Sequence, residues 1–64
     1  MEITLNGQSR ALPDGATVTQ LLQELRIAPE RVVVEVNLTI LKRAQHSGTV
    51  LQPGDQVKVV HFVG

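Results

Sequence analysis

The chain has 64 residues, six basic and six acidic side chains that cancel, no cysteine, and Phe62 as its single aromatic residue. That length makes one domain, near the lower limit at which an apolar core offsets chain entropy, with little room for an active-site cleft as well. Scattered, balanced charge gives no electrostatic footprint for nucleic acid, one aromatic ring is no stacking platform, and the lack of thiols removes disulfides, a cysteine nucleophile and a sulfur-ligated zinc site. Met1 to Leu5 carries no basic region followed by an apolar run, and no stretch reaches membrane-spanning length, so a soluble, cytoplasmic protein without membrane partners is expected.

Glu2 to Leu5 alternates polar and apolar, Asn6-Gly7 follows, and Gln8 to Leu12 continues in extended style. Asn and Gly both accept the positive φ of a type I′ turn, so this is a hairpin. A strict two-residue loop puts Ile3 opposite Arg10; a bulged three-residue loop puts it opposite Ala11, and the bulged register is the one expected. After the turn Pro13-Asp14-Gly15, Thr17-Val18-Thr19-Gln20 fits a capping box. Val18, Leu21, Leu22 and Leu25 then form one apolar helical stripe, which Pro29 ends by about Arg26 to Ala28.

Arg31 to Val36 holds four valines around Glu35 and reads as a strand with Val32, Val34 and Val36 on one face. Asn37-Leu38-Thr39 is a turn and Ile40-Leu41 a short strand. Arg43 to Thr49 has no defensible period and is expected as a single helical turn or an irregular crossover. Leu51 returns to the core, Pro53-Gly54-Asp55 turns the chain, and Gln56 onward is a last strand rich in β-branched residues. A hairpin, a helix lying across one face of a mixed sheet, and further strands make a two-layer α+β domain over residues 1–64: the β-grasp, or ubiquitin-like, arrangement. In it the last strand is central and parallel to the first, which accounts for its apolar character. Its first half anchors the sheet; its end, from about residue 61 to 64, is expected as a mobile tail.

No chemistry-bearing cluster stands out. His46 and His61 are far apart with no ligand-spaced partners, so they are read as surface or rim histidines and no metal site is expected. No carboxylate pair is placed for acid and base roles, Ser9 and Ser47 sit in no nucleophile motif, and the glycines form no phosphate loop, so no catalytic residues are expected and the chain is not expected to act alone as an enzyme. Asn37-Leu38-Thr39 matches a glycosylation acceptor, but so short a motif recurs by chance and no secretory signal accompanies it. The tail is more informative. If Val57 and Val59 face the helix, Lys58, Val60 and Phe62 line the opposite face, leaving apolar groups exposed beside the terminus unless Phe62 folds over the edge as core. Gly64 has no Cβ, so its carboxylate is sterically open and fits a narrow channel.

Leu5-Asn6-Gly7, Ala16-Thr17-Val18, Val34-Glu35-Val36-Asn37, Pro53-Gly54-Asp55 and Val60-His61-Phe62-Val63-Gly64 occur in an order and at a length that resemble the ThiS family, the sulfur carriers of thiazole synthesis in thiamine biosynthesis. The resemblance covers nearly the whole chain. It implies a carrier, a co-substrate of partner enzymes. A partner resembling ubiquitin-activating enzymes (an E1-like adenylyltransferase) uses ATP to adenylate the terminal glycine, and sulfur from a persulfide, supplied by a sulfurtransferase or cysteine desulfurase, yields a thiocarboxylate. Thiazole synthase receives that sulfur. The carboxyl chemistry falls on Gly64, partner contact on Lys58, Val60, Phe62 and Val63, and no cofactor is bound by the carrier itself. The family ends in Gly-Gly, whereas Val63 precedes Gly64 here, so a further glycine is expected beyond the given chain. Two alternatives stand beside this reading: a carrier of the same fold for molybdopterin synthesis or transfer RNA thiolation, and a ubiquitin-like interaction module without carboxyl chemistry.

Overall fold

The computed structural model of the chain describes residues 1–62. Strand β1 (Glu2–Leu5) and β2 (Gln8–Ala11) form the first hairpin, α1 (Val18–Glu24) crosses the sheet, and β3 (Val32–Val36) with β4 (Thr39–Leu41) forms the second hairpin. Strand β5 (Gln56–His61) completes a five-stranded sheet in the order β2-β1-β5-β3-β4. As expected, β5 is central, parallel to β1 and antiparallel to β3.

The first hairpin takes the strict two-residue loop: Ile3 lies opposite Arg10 and Leu5 opposite Gln8, which corrects the expected bulged register. Asn6 and Gly7 hold φ of 48° and 81°, both in the left-handed region that a type I′ turn requires, so no extra residue is needed to match the strand twist. This register points Ile3 into the core, where it is buried.

Helix α1 begins as its sequence dictates. The Gln20 N–H donates to Thr17 Oγ1 at 3.2 Å and the Thr17 N–H donates to Gln20 Oε1 at 2.8 Å, a reciprocal capping box. The remaining free N–H groups of the first turn are satisfied from the 43–50 segment: Val18 donates to the Thr49 carbonyl at 3.0 Å and Thr19 to the His46 carbonyl at 3.3 Å. That role explains why the segment has no hydrophobic period of its own. It contains a 3₁₀ turn, Arg43–Gln45, which matches the helical turn anticipated there.

The helix stops earlier than the apolar stripe implies, at Glu24 with Leu25 as C-cap. Arg26 sits at φ 57°, the Arg26 N–H donates to the Gln23 carbonyl and the Ile27 N–H donates to the Leu22 carbonyl at 2.9 Å. This is a Schellman closure, built on an arginine where glycine is usual. Val18, Leu21 and Leu22 face the core with Ile3, Leu12, Val32, Val34, Leu51, Val57 and Val59. Leu25, Ile27, Val36 and Leu41 pack around its margin.

Candidate functional site

The site of interest is built by β5. Period-two alternation sends Val57 and Val59 into the core, at 1% and 7% exposure, and sends Lys58 and Val60 to the opposite face of the sheet. Val60 is 59% exposed and Phe62 62%, so Phe62 is not folded into the core. Strand β3 adds the half-buried Val33 directly opposite Val60, and β4 adds Ile40, 66% exposed. Val33, Ile40, Leu41 and Phe62 line one shallow depression with Pro29, Glu30 and Arg43. An exposed apolar strip of this kind on a small domain is an interface signal.

Lys58 stands opposite Glu35 across the β3–β5 ladder, a cross-strand pair of opposite charge beside the apolar strip. Arg43 Nη2 lies 3.8 Å from Glu30 Oε2 on the far rim. The strip is thus apolar at its centre with charges of both signs around it.

Two asparagines hold β5 in place from either side. On the β1 side, the Asn6 N–H donates to the Val57 carbonyl at 2.9 Å, and its side-chain amide then engages both backbone groups of Val59. On the β3 side, the Asn37 N–H donates to the Gln56 carbonyl at 2.8 Å while its Oδ1 accepts from the Gln56 N–H at 2.9 Å and its Nδ2 donates to Asp55 Oδ1 at 3.0 Å. Both residues also carry the left-handed φ of their turns, at 48° and 49°. Their turn role was legible from sequence; their clamping of a strand some fifty and nineteen residues away was not.

Of the residues expected to meet partners, Lys58, Val60 and Phe62 are brought together at the exposed end of β5. Val63 and Gly64, the second of which was assigned the carboxyl chemistry, lie outside the described residues. The sheet continues to His61, and the Phe62 N–H still donates to the Arg31 carbonyl at 2.9 Å, so ordered pairing extends into the start of the range assigned to the tail. Leu38 and Ile40 were not singled out beforehand; period-two alternation in β4 could have placed Ile40 on the outer face beside Val33.

His46 departs from expectation. It is buried, at 4% exposure, and its Nδ1 has no hydrogen-bond partner among the described residues. Burial holds its pKa below the ordinary histidine value, and the Arg43 guanidinium pushes in the same direction. The 43–50 segment folds inward to cap α1, and this draws His46 off the surface. His61 is exposed, as a rim histidine should be. No group of three or more histidine, cysteine or carboxylate side chains fit to hold a metal occurs among the described residues. No described helix is long and apolar enough to cross a membrane.

A mixed sheet with a central C-terminal strand, one helix on its inner face and an exposed apolar strip at the strand end define a ubiquitin-like β-grasp protein. The fold superposes on the crystal structure of a thiamine biosynthesis protein, ThiS, from Geobacter metallireducens with a TM-score of 0.89 and 34% identity, covering 100% of this chain and 97% of that one. The solution structure of a thiamine biosynthesis protein from the same organism gives 0.84 at 34% identity, covering 100% and 86%. The ThiS family matches residues 3–64, and the chain belongs to that family. It is also 44% identical, over its whole length, to a thiazole synthase from Magnetococcus marinus and 33% identical to one from Paramagnetospirillum magneticum. It spans only 20% of the length of either, so in those relatives the matching region is one segment of a longer polypeptide.

Proposed function

We propose that this chain carries sulfur for thiazole formation in thiamine biosynthesis, as a co-substrate in the cytoplasm and not as a catalyst. The observation that carries the reading is the ThiS family match, which runs from β1 through Gly64. The chemistry follows from the state of a terminal carboxyl group. With a pKa of about 3.3–3.7 it is an anion at neutral pH and a poor electrophile. An E1-like partner joins it to the AMP portion of ATP and releases pyrophosphate, and the resulting mixed anhydride has AMP as a good leaving group. A persulfide from a cysteine desulfurase or sulfurtransferase then attacks the carbonyl carbon and expels AMP. A thiol cleaves the sulfur–sulfur bond, leaving a thiocarboxylate on the C-terminal glycine for thiazole synthase.

The carrier contributes reach and recognition. A tail without a Cβ at its last residue enters a narrow channel, while Lys58, Val60, Phe62 and Val63 meet the partner around it. The two thiazole synthase relatives support thiazole synthase as the acceptor, in preference to the molybdopterin and transfer RNA alternatives. The test is intact-mass spectrometry of the protein, with its native C-terminus, after incubation with the adenylating enzyme, ATP and a sulfur donor. The expected gain equals exchange of one oxygen for one sulfur and disappears when the C-terminal glycine residues are deleted. An unchanged mass with active partners overturns the reading.

A further inference from the structure

We propose that the backbone of His61 is a strand-addition site, at which an extended segment of thiazole synthase pairs alongside β5 in the place that β1 leaves vacant. The proposal rests on the carrier reading above and adds the manner in which the acceptor grips its co-substrate.

The backbone groups of β5 point alternately to its two neighbours. Gln56 and Phe62 face β3, since the Gln56 carbonyl accepts from Asn37 and the Phe62 N–H donates to Arg31. The odd-numbered residues face β1. There the Asp55 carbonyl accepts from the Thr4 N–H at 2.9 Å and the Val57 carbonyl accepts from the Asn6 N–H at 2.9 Å. At the next rung β1 has already turned away, and the Asn6 side-chain amide stands in for its missing peptide unit at Val59. One rung further, the N–H and C=O of His61 point to the same side, and no described residue pairs with them there. The ladder between β1 and β5 covers only Thr4–Gln56 and Leu5–Val57.

A donor and an acceptor at strand spacing, on an exposed residue, are matched by another peptide backbone. The gap opens beside the strip that holds Val60 and Phe62, so alternate side chains of an added strand can cover those exposed groups. It also lies two positions before Val63. The relatives in which a region like this chain shares one polypeptide with the rest of a thiazole synthase supply the partner.

The test measures binding of the full chain to thiazole synthase by calorimetry for three forms: His61→Pro, chemically synthesised protein with an N-methylated His61 peptide bond, and His61→Ala. The first two remove the open backbone donor without touching a described hydrogen bond, and proline is tolerated where the N–H faces outward. Should His61→Pro fail to fold, the N-methylated protein carries the test. Loss of one such bond predicts binding weakened about tenfold for the two backbone-altered forms, with His61→Ala staying within about threefold of the unaltered chain. Unchanged binding of the N-methylated protein overturns the proposal, as does an equal loss on His61→Ala, which would assign the contact to the imidazole. Failure of the unaltered chain to bind thiazole synthase also overturns it. In that case thiocarboxylate formation by the same sample shows whether the carrier reading survives without this partner.

Discussion

Asn6 pairs with Val59 as though its side chain were the next peptide of β1: Nδ2 donates to the Val59 carbonyl at 3.2 Å and Oδ1 accepts from the Val59 N–H at 2.9 Å. The residue thereby does two things in one place. It forms the left-handed corner of the first hairpin and it fastens the central strand just before the strand becomes exposed.

Asn6→Ala removes both bonds and places a Cβ-bearing residue without local polar support at φ 48°. The expected loss is about 2–3 kcal/mol in urea unfolding. Asn6→Gly relieves the backbone cost and isolates the loss of the amide, at about 1–2 kcal/mol. Equal midpoints for Asn6→Gly and the parent chain would show that the clamp contributes nothing.

Leu38 lies at φ 70° and is 82% exposed, so its side chain gains little from packing while its backbone occupies the left-handed region. Leu38→Gly should therefore raise stability, by about 0.5–1 kcal/mol, since the strain relieved outweighs the added freedom of the unfolded chain. A destabilised Leu38→Gly protein would mean that the leucine makes a contact worth more than its strain.

Leu21 is fully buried on the stripe of α1. Leu21→Ala is expected to cost about 3 kcal/mol, from lost burial and the cavity left behind. In a domain this small that is a large share of the total stability, so thermal denaturation should broaden and move well below that of the parent.

His46 makes stability depend on pH. Its folded pKa lies below the ordinary value of 6.5, because burial disfavours the imidazolium and Arg43 opposes it further. The unfolded chain thus binds the proton more readily. The stability from keeping His46 neutral is complete above pH 6.5 and is lost as pH falls through that value to the lower folded pKa. Urea midpoints measured from pH 7.5 down to about 5 should fall for the parent and fall less for His46→Leu. Parallel curves would assign the acid sensitivity elsewhere.

Val60→Asp and Phe62→Ala alter side chains that face solvent. Each should leave unfolding stability within about 1 kcal/mol. Formation of the thiocarboxylate, or its use by thiazole synthase, should drop by about tenfold or more if these side chains meet a partner. Parental rates for both variants would remove the strip from the recognition surface.

Much of this architecture can be read from residues that act locally. The Thr17–Gln20 box, the stripe through Val18, Leu21 and Leu22, the valine run of β3 and the punctuation at Asn6-Gly7 and Pro53-Gly54 all depend on neighbours within a few positions. The β-branched run of β5 marked a largely buried strand, and the β-grasp arrangement then placed it at the centre of the sheet, where it lies. The alternation of Val57 and Val59 against Lys58 and Val60 correctly assigned the two faces of the site.

What only the tertiary structure decided are the contacts between segments far apart in the chain. The bulged hairpin register was equally compatible with local pattern, and the type I′ geometry at Asn6 and Gly7 settled it for Ile3 opposite Arg10. His46 is drawn inside because the carbonyls of its irregular segment must satisfy the first N–H groups of α1, a demand that no side-chain period records. Sequence marks Asn6 as a turn former; that its amide also completes the ladder at Val59, and that the ladder stops there with the His61 backbone unpaired on that side among the described residues, follows from where β1 turns away from β5. Hydrophobic period and turn chemistry are properties of neighbouring residues, while a hydrogen-bond rung left empty exists only once the strands have been brought side by side.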